Sequence, residues 1–120
     1  VDEQAVSFRA VGKYMKIAPQ KCRLVADLIR ERYVGEALTI LHFSKKKKAS
    51  SIIEKVLRSA ISNAQQKVPD IDVDTLYVSK VFVDQGPQMK RFRPAPMGRA
   101  YRILKRMSHV HIFLEERKGR

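Results

Sequence analysis

Apolar residues recur at helical spacing through the first half of the chain and in short β-rich blocks through the second. Behind Pro19, a residue tolerated in a first helical turn because its missing N–H has no partner there, Cys22, Val25, Ala26 and Ile29 predict a helix from about Pro19 to Arg32. Gly35 interrupts the pattern, and Ala37, Leu38 and Leu41 predict a short second helix ending near Phe43, before Ser44 as a candidate N-cap. The clearest helix is the third. Ile52, Ile53, Val56, Leu57, Ala60, Ile61 and Ala64 form one stripe, with Lys55, Arg58, Ser62 and Gln65 lying off it. Beyond Pro69 the pattern changes to Leu76-Tyr77-Val78, Val81-Phe82-Val83 and Val110-His111-Ile112-Phe113-Leu114, whose β-branched and aromatic residues predict strands. A further strand is expected between Ala5 and Met15. Helices first and strands later predict an α+β fold, with three helices packed on one face of a small antiparallel sheet. The length of 120 residues suits one domain spanning 1–120.

Between the later strand blocks lies Gly86 to Arg106, a segment rich in Lys and Arg without an acidic residue. It is too long for a turn, and a long projecting basic β-hairpin over 86–106 with its tip near Pro94 to Gly98 is expected. Legs of about ten residues at roughly 3.4 Å each would carry the tip on the order of 30 Å from the sheet. A two-stranded ribbon is marginal alone in water, so such an arm needs a partner surface.

Charge says what kind of surface. The formal net charge is +13, and so large an excess on a small domain points to a polyanion, nucleic acid ahead of anionic membrane. Along the arm, Lys90, Arg91, Arg93, Arg99, Arg102, Lys105 and Arg106 suit successive phosphates, with Phe92 and Tyr101 available to stack on bases. The alternative is a solvated charged loop. Lys45, Lys46, Lys47 and Lys48 precede the third helix, where positive charge opposes the helix dipole, and this suggests a phosphate partner; a plain solvated charge run is the competing explanation. Lys13, Lys16, Lys21 and Arg23 flank the start of the first helix and form a second candidate phosphate patch.

Other chemistry is poorly served. Asp70, Asp72 and Asp74 would share one face if they lay in a strand, where they could hold a hard cation, but solvated carboxylates at a helix-to-strand connection are the ordinary explanation. His109 and His111 also share a strand face, and packing or facing RNA is favoured over metal ligation. Cys22, the one cysteine, lies on a helical stripe as a core residue and not a nucleophile; it can form no internal disulfide, which fits a reducing compartment. The phosphate-binding and nucleophile-elbow glycine motifs are absent. No catalytic residue, metal site or cofactor is therefore expected, and neither a signal peptide nor a transmembrane helix. Two alternatives stay open on the residues alone: an architectural DNA-binding protein that lays its ribbon in a minor groove, and a metal-dependent nuclease built on Asp70, Asp72 and Asp74.

Several blocks carry a family resemblance. Ala18-Pro19-Gln20-Lys21-Cys22-Arg23-Leu24-Val25-Ala26-Asp27-Leu28-Ile29-Arg30 resembles the first helix of the universal large-subunit ribosomal protein twenty-two family, bacterial type. Ser59-Ala60-Ile61-Ser62-Asn63-Ala64 is similar to the end of that family's long helix. Val83-Asp84-Gln85-Gly86-Pro87-Gln88-Met89-Lys90-Arg91 and Gly98-Arg99-Ala100-Tyr101-Arg102-Ile103-Leu104-Lys105-Arg106 resemble the two legs of its arm, followed by Ser108-His109. The resemblance runs from about Arg9 to Leu114. It implies a non-enzymatic structural constituent of the large ribosomal subunit that binds large-subunit (23S) rRNA, takes part in early subunit assembly and works in the cytoplasm. It also implies a hairpin that lines the nascent-polypeptide exit tunnel, with Met89, Lys90, Arg91, Phe92, Arg93, Pro94 and Ala95 in the tip region. The implied partners are rRNA, neighbouring large-subunit proteins and the nascent chain, with no membrane and no homo-oligomer. His109 joins the implied rRNA contacts. Ala95 stands where a basic residue is usual in the family, so one tip charge is lost, and the surrounding prolines stiffen the tip.

Overall fold

A computed structural model describes residues 7–94 and 100–117, with side chains described for 7–86 and 107–117. Strand β1 (Ser7–Met15) leads into three helices, α1 (Pro19–Ile29), α2 (Val34–Phe43) and α3 (Lys47–Lys67). A single 3-10 turn (Val73–Thr75) then delivers the chain to β2 (Leu76–Pro94), which pairs with β3 (Ala100–Glu116). The sheet is antiparallel in the order β1-β3-β2, so the last strand occupies the centre. This is the α+β arrangement the apolar pattern predicts.

The helices cover one sheet face because their stripes and the alternate strand residues bury one another. Cys22, Val25, Ala26 and Ile29 from α1 and Ile53, Val56, Leu57, Ala60 and Ala64 from α3 join Phe8, Ala10, Val78, Val81, Val83, Val110, Ile112 and Leu114 in one core. Helix α2 adds Val34, Ala37 and Leu41 and packs against both other helices. Gly12 lets α3 approach β1: a Cβ there would lie 2.6 Å from Val56 Cγ2, too close without movement.

Element ends differ from expectation for local reasons. Helix α1 stops at Ile29, short of Arg32, because Arg30 turns extended and Glu31 takes a positive φ of 62°. That turn aims the backbone at the sheet edge, where the Glu31 N–H donates to the Val78 carbonyl (2.9 Å) and the Val78 N–H to the Arg32 carbonyl (2.8 Å). Gly35 does not separate the helices but lies inside the first turn of α2, where its N–H has no helical partner to lose. Ser44 is the C-cap of α2, not the N-cap of α3; its hydroxyl oxygen accepts the Lys46 N–H (3.2 Å), and Lys46 takes the N-cap place without a side-chain cap bond. Leu76–Val78 and Val81–Val83 belong to one strand, with an extra residue accommodated between Val78 and Lys80.

Both sheet edges are met by helix side chains. On the β2 edge, Arg23 donates through Nε and Nη2 to the Val83 carbonyl (3.2 and 2.9 Å), and Arg30 donates to the Val81 carbonyl (2.7 Å) while pairing with Asp27 (2.6 Å). On the β1 edge, Asn63 of α3 donates to the Arg9 carbonyl (2.8 Å).

At Ser108 the three-stranded sheet becomes a two-stranded ladder. Strand β1 ends opposite Ser108 after a bulge at which Tyr14 adopts φ 57°, and β2 carries an extra residue between Gln85 and Gln88 at the same level. Gly86 sits in that second bulge, where an added Cβ would lie 3.2 Å from the Met107 carbonyl oxygen. Pro87 follows, at a place where a missing ladder N–H does no harm. The buried Ser108 hydroxyl donates to the Ile17 carbonyl (2.6 Å), tying this junction to the entry of α1. Beyond it the pairing of β2 with β3 continues to Pro94 opposite Ala100.

Candidate nucleic-acid interface

The candidate site begins with two helices that lack ordinary N-terminal chemistry. Helix α3 starts with Lys46 at its N-cap and Lys47 and Lys48 in its first turn; helix α1 starts after Ala18, with Pro19 first and Lys21 third. Neither has a side-chain cap bond or an acidic residue in its first turn. Both ends therefore present unpaired backbone N–H groups and the positive pole of the helix dipole, to which the lysines add like charge.

The fold puts these two ends together. Ile17, Ala18, Lys21, Lys46, Lys47, Lys48 and Ala49 line one open cavity of about 400 Å³. Two clusters more than twenty residues apart in sequence thus make one basic depression, with the small Ala18 and Ala49 leaving room on its walls. Lys47 also donates to the His42 carbonyl in the last turn of α2 (3.1 Å), which holds its ammonium near the α3 terminus. Lys45 is exposed just outside the depression. Such a constellation can hold phosphate oxygens between ammonium groups and helix N–H donors.

The remaining basic residues separate. Lys13 and Lys16 are exposed along the end of β1 and the link to α1, and neither lines the depression. Arg23 has a structural task that its place in a basic cluster did not announce, since two of its nitrogens hold the edge carbonyl of Val83. His109 lies beside the β1 bulge, its Nδ1 accepting the Tyr14 N–H (3.0 Å) and its ring edge-on to Tyr14 (4.9 Å). His111 bonds Asp84 (3.1 Å) and stacks on Phe82.

Of the expected arm contacts, Ala95 and Arg99 lie outside the described residues. Met89, Lys90, Arg91, Phe92, Arg93, Pro94, Tyr101, Arg102, Lys105 and Arg106 are described in backbone alone. Their register sets Phe92 opposite Arg102 and Arg93 opposite Tyr101.

The other candidate chemistry resolves differently. Asp70, Asp72 and Asp74 do not share a strand face: Asp72 accepts the Asp74 N–H (3.0 Å) and so caps the 3-10 turn. Among the described residues no group of three His, Cys, Asp or Glu side chains is placed to hold a metal. Cys22 is buried in the core, and desolvation pushes its thiol up to about 11, which keeps it protonated and unreactive at neutral pH. No helix among the described residues is long and apolar enough to cross a membrane.

The family model described as ribosomal protein L22p/L17e matches residues 10–115. The chain belongs to this family. Among its relatives is the large ribosomal subunit protein uL22 of Syntrophobacter fumaroxidans, 52% identical over 109 residues that cover 91% of this chain and 97% of that protein. The protein of the same name from Solibacter usitatus is 48% identical over 111 residues, covering 92% of this chain and 97% of its own length. The resemblance carried by the α1 block and the two ladder legs is thereby established as membership. L22 family proteins are structural constituents of the ribosome and not enzymes, so the nuclease alternative on the three aspartates falls, and with it the architectural DNA-binding alternative. The matched span takes in both the basic depression and the ladder beyond Ser108.

Proposed function

We propose that this chain is a non-enzymatic constituent of the large subunit of the cytoplasmic ribosome that binds large-subunit rRNA at two places. One is the depression formed by Lys21 and Lys46 to Lys48; the other is the basic ribbon over 86–106, acting as a projecting hairpin arm. Lys13, Lys16, Lys45 and His109 extend the first contact, while Arg91, Arg93, Arg102 and their neighbours, with Phe92 and Tyr101, supply the second. The chain supports early subunit assembly, because the RNA supplies the partner surface that a two-stranded ribbon needs. Its tip, Met89 to Ala95, lines the nascent-chain exit tunnel, beside neighbouring large-subunit proteins, and the protein acts as one copy without a homo-oligomer. The observation that carries rRNA binding is the convergence of lysines on two uncapped helix N-termini, an arrangement that costs stability until an anion neutralises it.

The test compares stability with binding. Lys46→Ala combined with Lys48→Ala is expected to raise the melting temperature of the free chain slightly, while weakening its binding to a structured large-subunit rRNA fragment. The slope of log affinity against log salt should flatten by about 1.5, the value for two lost phosphate contacts. Arg91→Ala with Arg102→Ala should flatten it similarly. An unchanged slope in the first pair removes the depression from the interface, and equal affinity for duplex DNA of the same phosphate content at physiological salt overturns rRNA recognition.

A further inference from the structure

The sheet face turned away from the helices carries residues that a merely solvated face does not need. Such faces ordinarily alternate to polar side chains. Here Phe82, His111 and Phe113 stand together on adjacent strands, with Phe82 parallel to His111 (centroids 4.6 Å apart, 17° between planes) and nearly parallel to Phe113 (5.9 Å, 23°). Phe82 stands on the edge strand β2, meets both rings from the central strand β3, and is 41% exposed, which leaves ring surface open to a further ring. The cross-strand register sets Arg9 and Lys80 on either side of Phe113, and the Arg9 guanidinium lies 5.8 Å from the Phe113 centroid. Each carboxylate on this face has a bonded neighbour, Asp84 the His111 imidazole (3.1 Å) and Glu115 the Arg117 guanidinium (2.6 Å). The result is a stack of aromatic rings flanked by cations.

We propose that this open sheet face is a stacking platform for an unpaired RNA base, with Phe82 as the stacking ring and Arg9 and Lys80 holding the flanking phosphates. The proposal rests on the rRNA-binding function above and adds a third contact, distinct from the helix-end depression and the ribbon. The geometry favours a single strand over a duplex because paired bases keep their π-faces covered, whereas an unpaired base exposes one to a ring. It favours nucleic acid over a protein surface because Arg9 and Lys80 border the rings while the carboxylates described on this face are bonded to His111 and Arg117.

The sequence holds no tryptophan, so Phe82→Trp introduces a single indole whose fluorescence reports on that position alone. The full-length variant is titrated with a short single-stranded oligoadenylate and with duplex RNA of equal phosphate content, while filter binding follows a structured large-subunit rRNA fragment in parallel. Strong quenching by the single strand and little by the duplex is the expected result. Phe82→Ala should weaken oligoadenylate binding about fivefold or more, Phe82→Tyr should restore it, and Arg9→Ala should lower the salt slope by about one contact's worth. Retained rRNA binding with an unquenched indole, or equal quenching by duplex, overturns the platform and leaves the rRNA function standing. Loss of rRNA binding by the unsubstituted chain overturns both.

Discussion

The two faces of the same three strands obey different rules. Toward the helices stand Phe8, Ala10, Val78, Val81, Val83, Val110, Ile112 and Leu114, none more than 6% exposed. On the opposite face, one residue along in each strand, stand Arg9, Val11, Lys80, Phe82, His111 and Phe113. The inner face is selected for volume, since each side chain must fill space left by α1 and α3. The outer face fills no cavity, so its residues are free to be chosen for what they touch. A period of two keeps these demands separate, and substitutions one position apart should therefore act on different quantities.

The most direct way to break this contrast is to truncate neighbours. Ile112→Ala leaves a cavity under α3 and is expected to cost about 2 to 5 kcal/mol in chemical denaturation, whereas His111→Ala should cost less than about 1 kcal/mol. Comparable losses would mean that the outer face also belongs to the core. Ser108 sharpens the contrast as a polar residue on the inner side. Ser108→Ala leaves the Ile17 carbonyl without its donor and should cost about 1 to 3 kcal/mol by the same measurement, with a stability near that of the parent counting against the junction.

Smaller effects probe the inner side through titration and satisfaction. Burial holds the Cys22 thiol up to about 11, so the unfolded chain releases this proton at lower pH than the folded chain does. The folded state thus loses stability as pH rises past the ordinary thiol range near 8.5, and this loss levels off above about 11. Cys22→Ala should remove that part of the alkaline decline in parallel denaturation curves; identical declines would show that the thiol does not contribute. The smallest change is expected at Ser50, 3% exposed in the first turn of α3, whose hydroxyl has no hydrogen-bond partner among the described residues. Ser50→Ala should leave the melting temperature unchanged or raise it slightly, because it removes a buried polar group that gains nothing. A clear drop would reveal a partner for that hydroxyl.

The helical stripes and β-branched blocks were sufficient for the class and order of elements because each is a local periodic signal. Boundaries were less legible. Glu31 and Tyr14 hold positive φ values that no glycine announces, so the end of α1 and the bulge in β1 depend on the tertiary bonds that the neighbouring backbone makes. Ser44 has the sequence signature of a residue that opens a helix, yet it closes one, since a short hydroxyl residue can serve either end by bonding a nearby N–H. Within the candidate site, charge runs marked Lys46 to Lys48 and Lys21 separately, but nothing in either run shows that the two helix ends share a cavity. Arg23 reads in sequence only as one cation of the basic cluster, because its hydrogen bonds to β2 span sixty residues of sequence. Phe82 and Arg9 carry no such signal in sequence for a related reason: a stacked face is assembled across strands and has no contiguous motif.

The helix side chains on the sheet edges bear on the chain's life before it meets RNA. A strand border with unclaimed carbonyls and amides is a template on which another copy can add a strand, the first step of amyloid-like growth. Arg23 and Arg30 occupy that border on β2, and Asn63 does so on β1. Together they occupy carbonyls that an added strand would need, which disfavours strand addition at these positions.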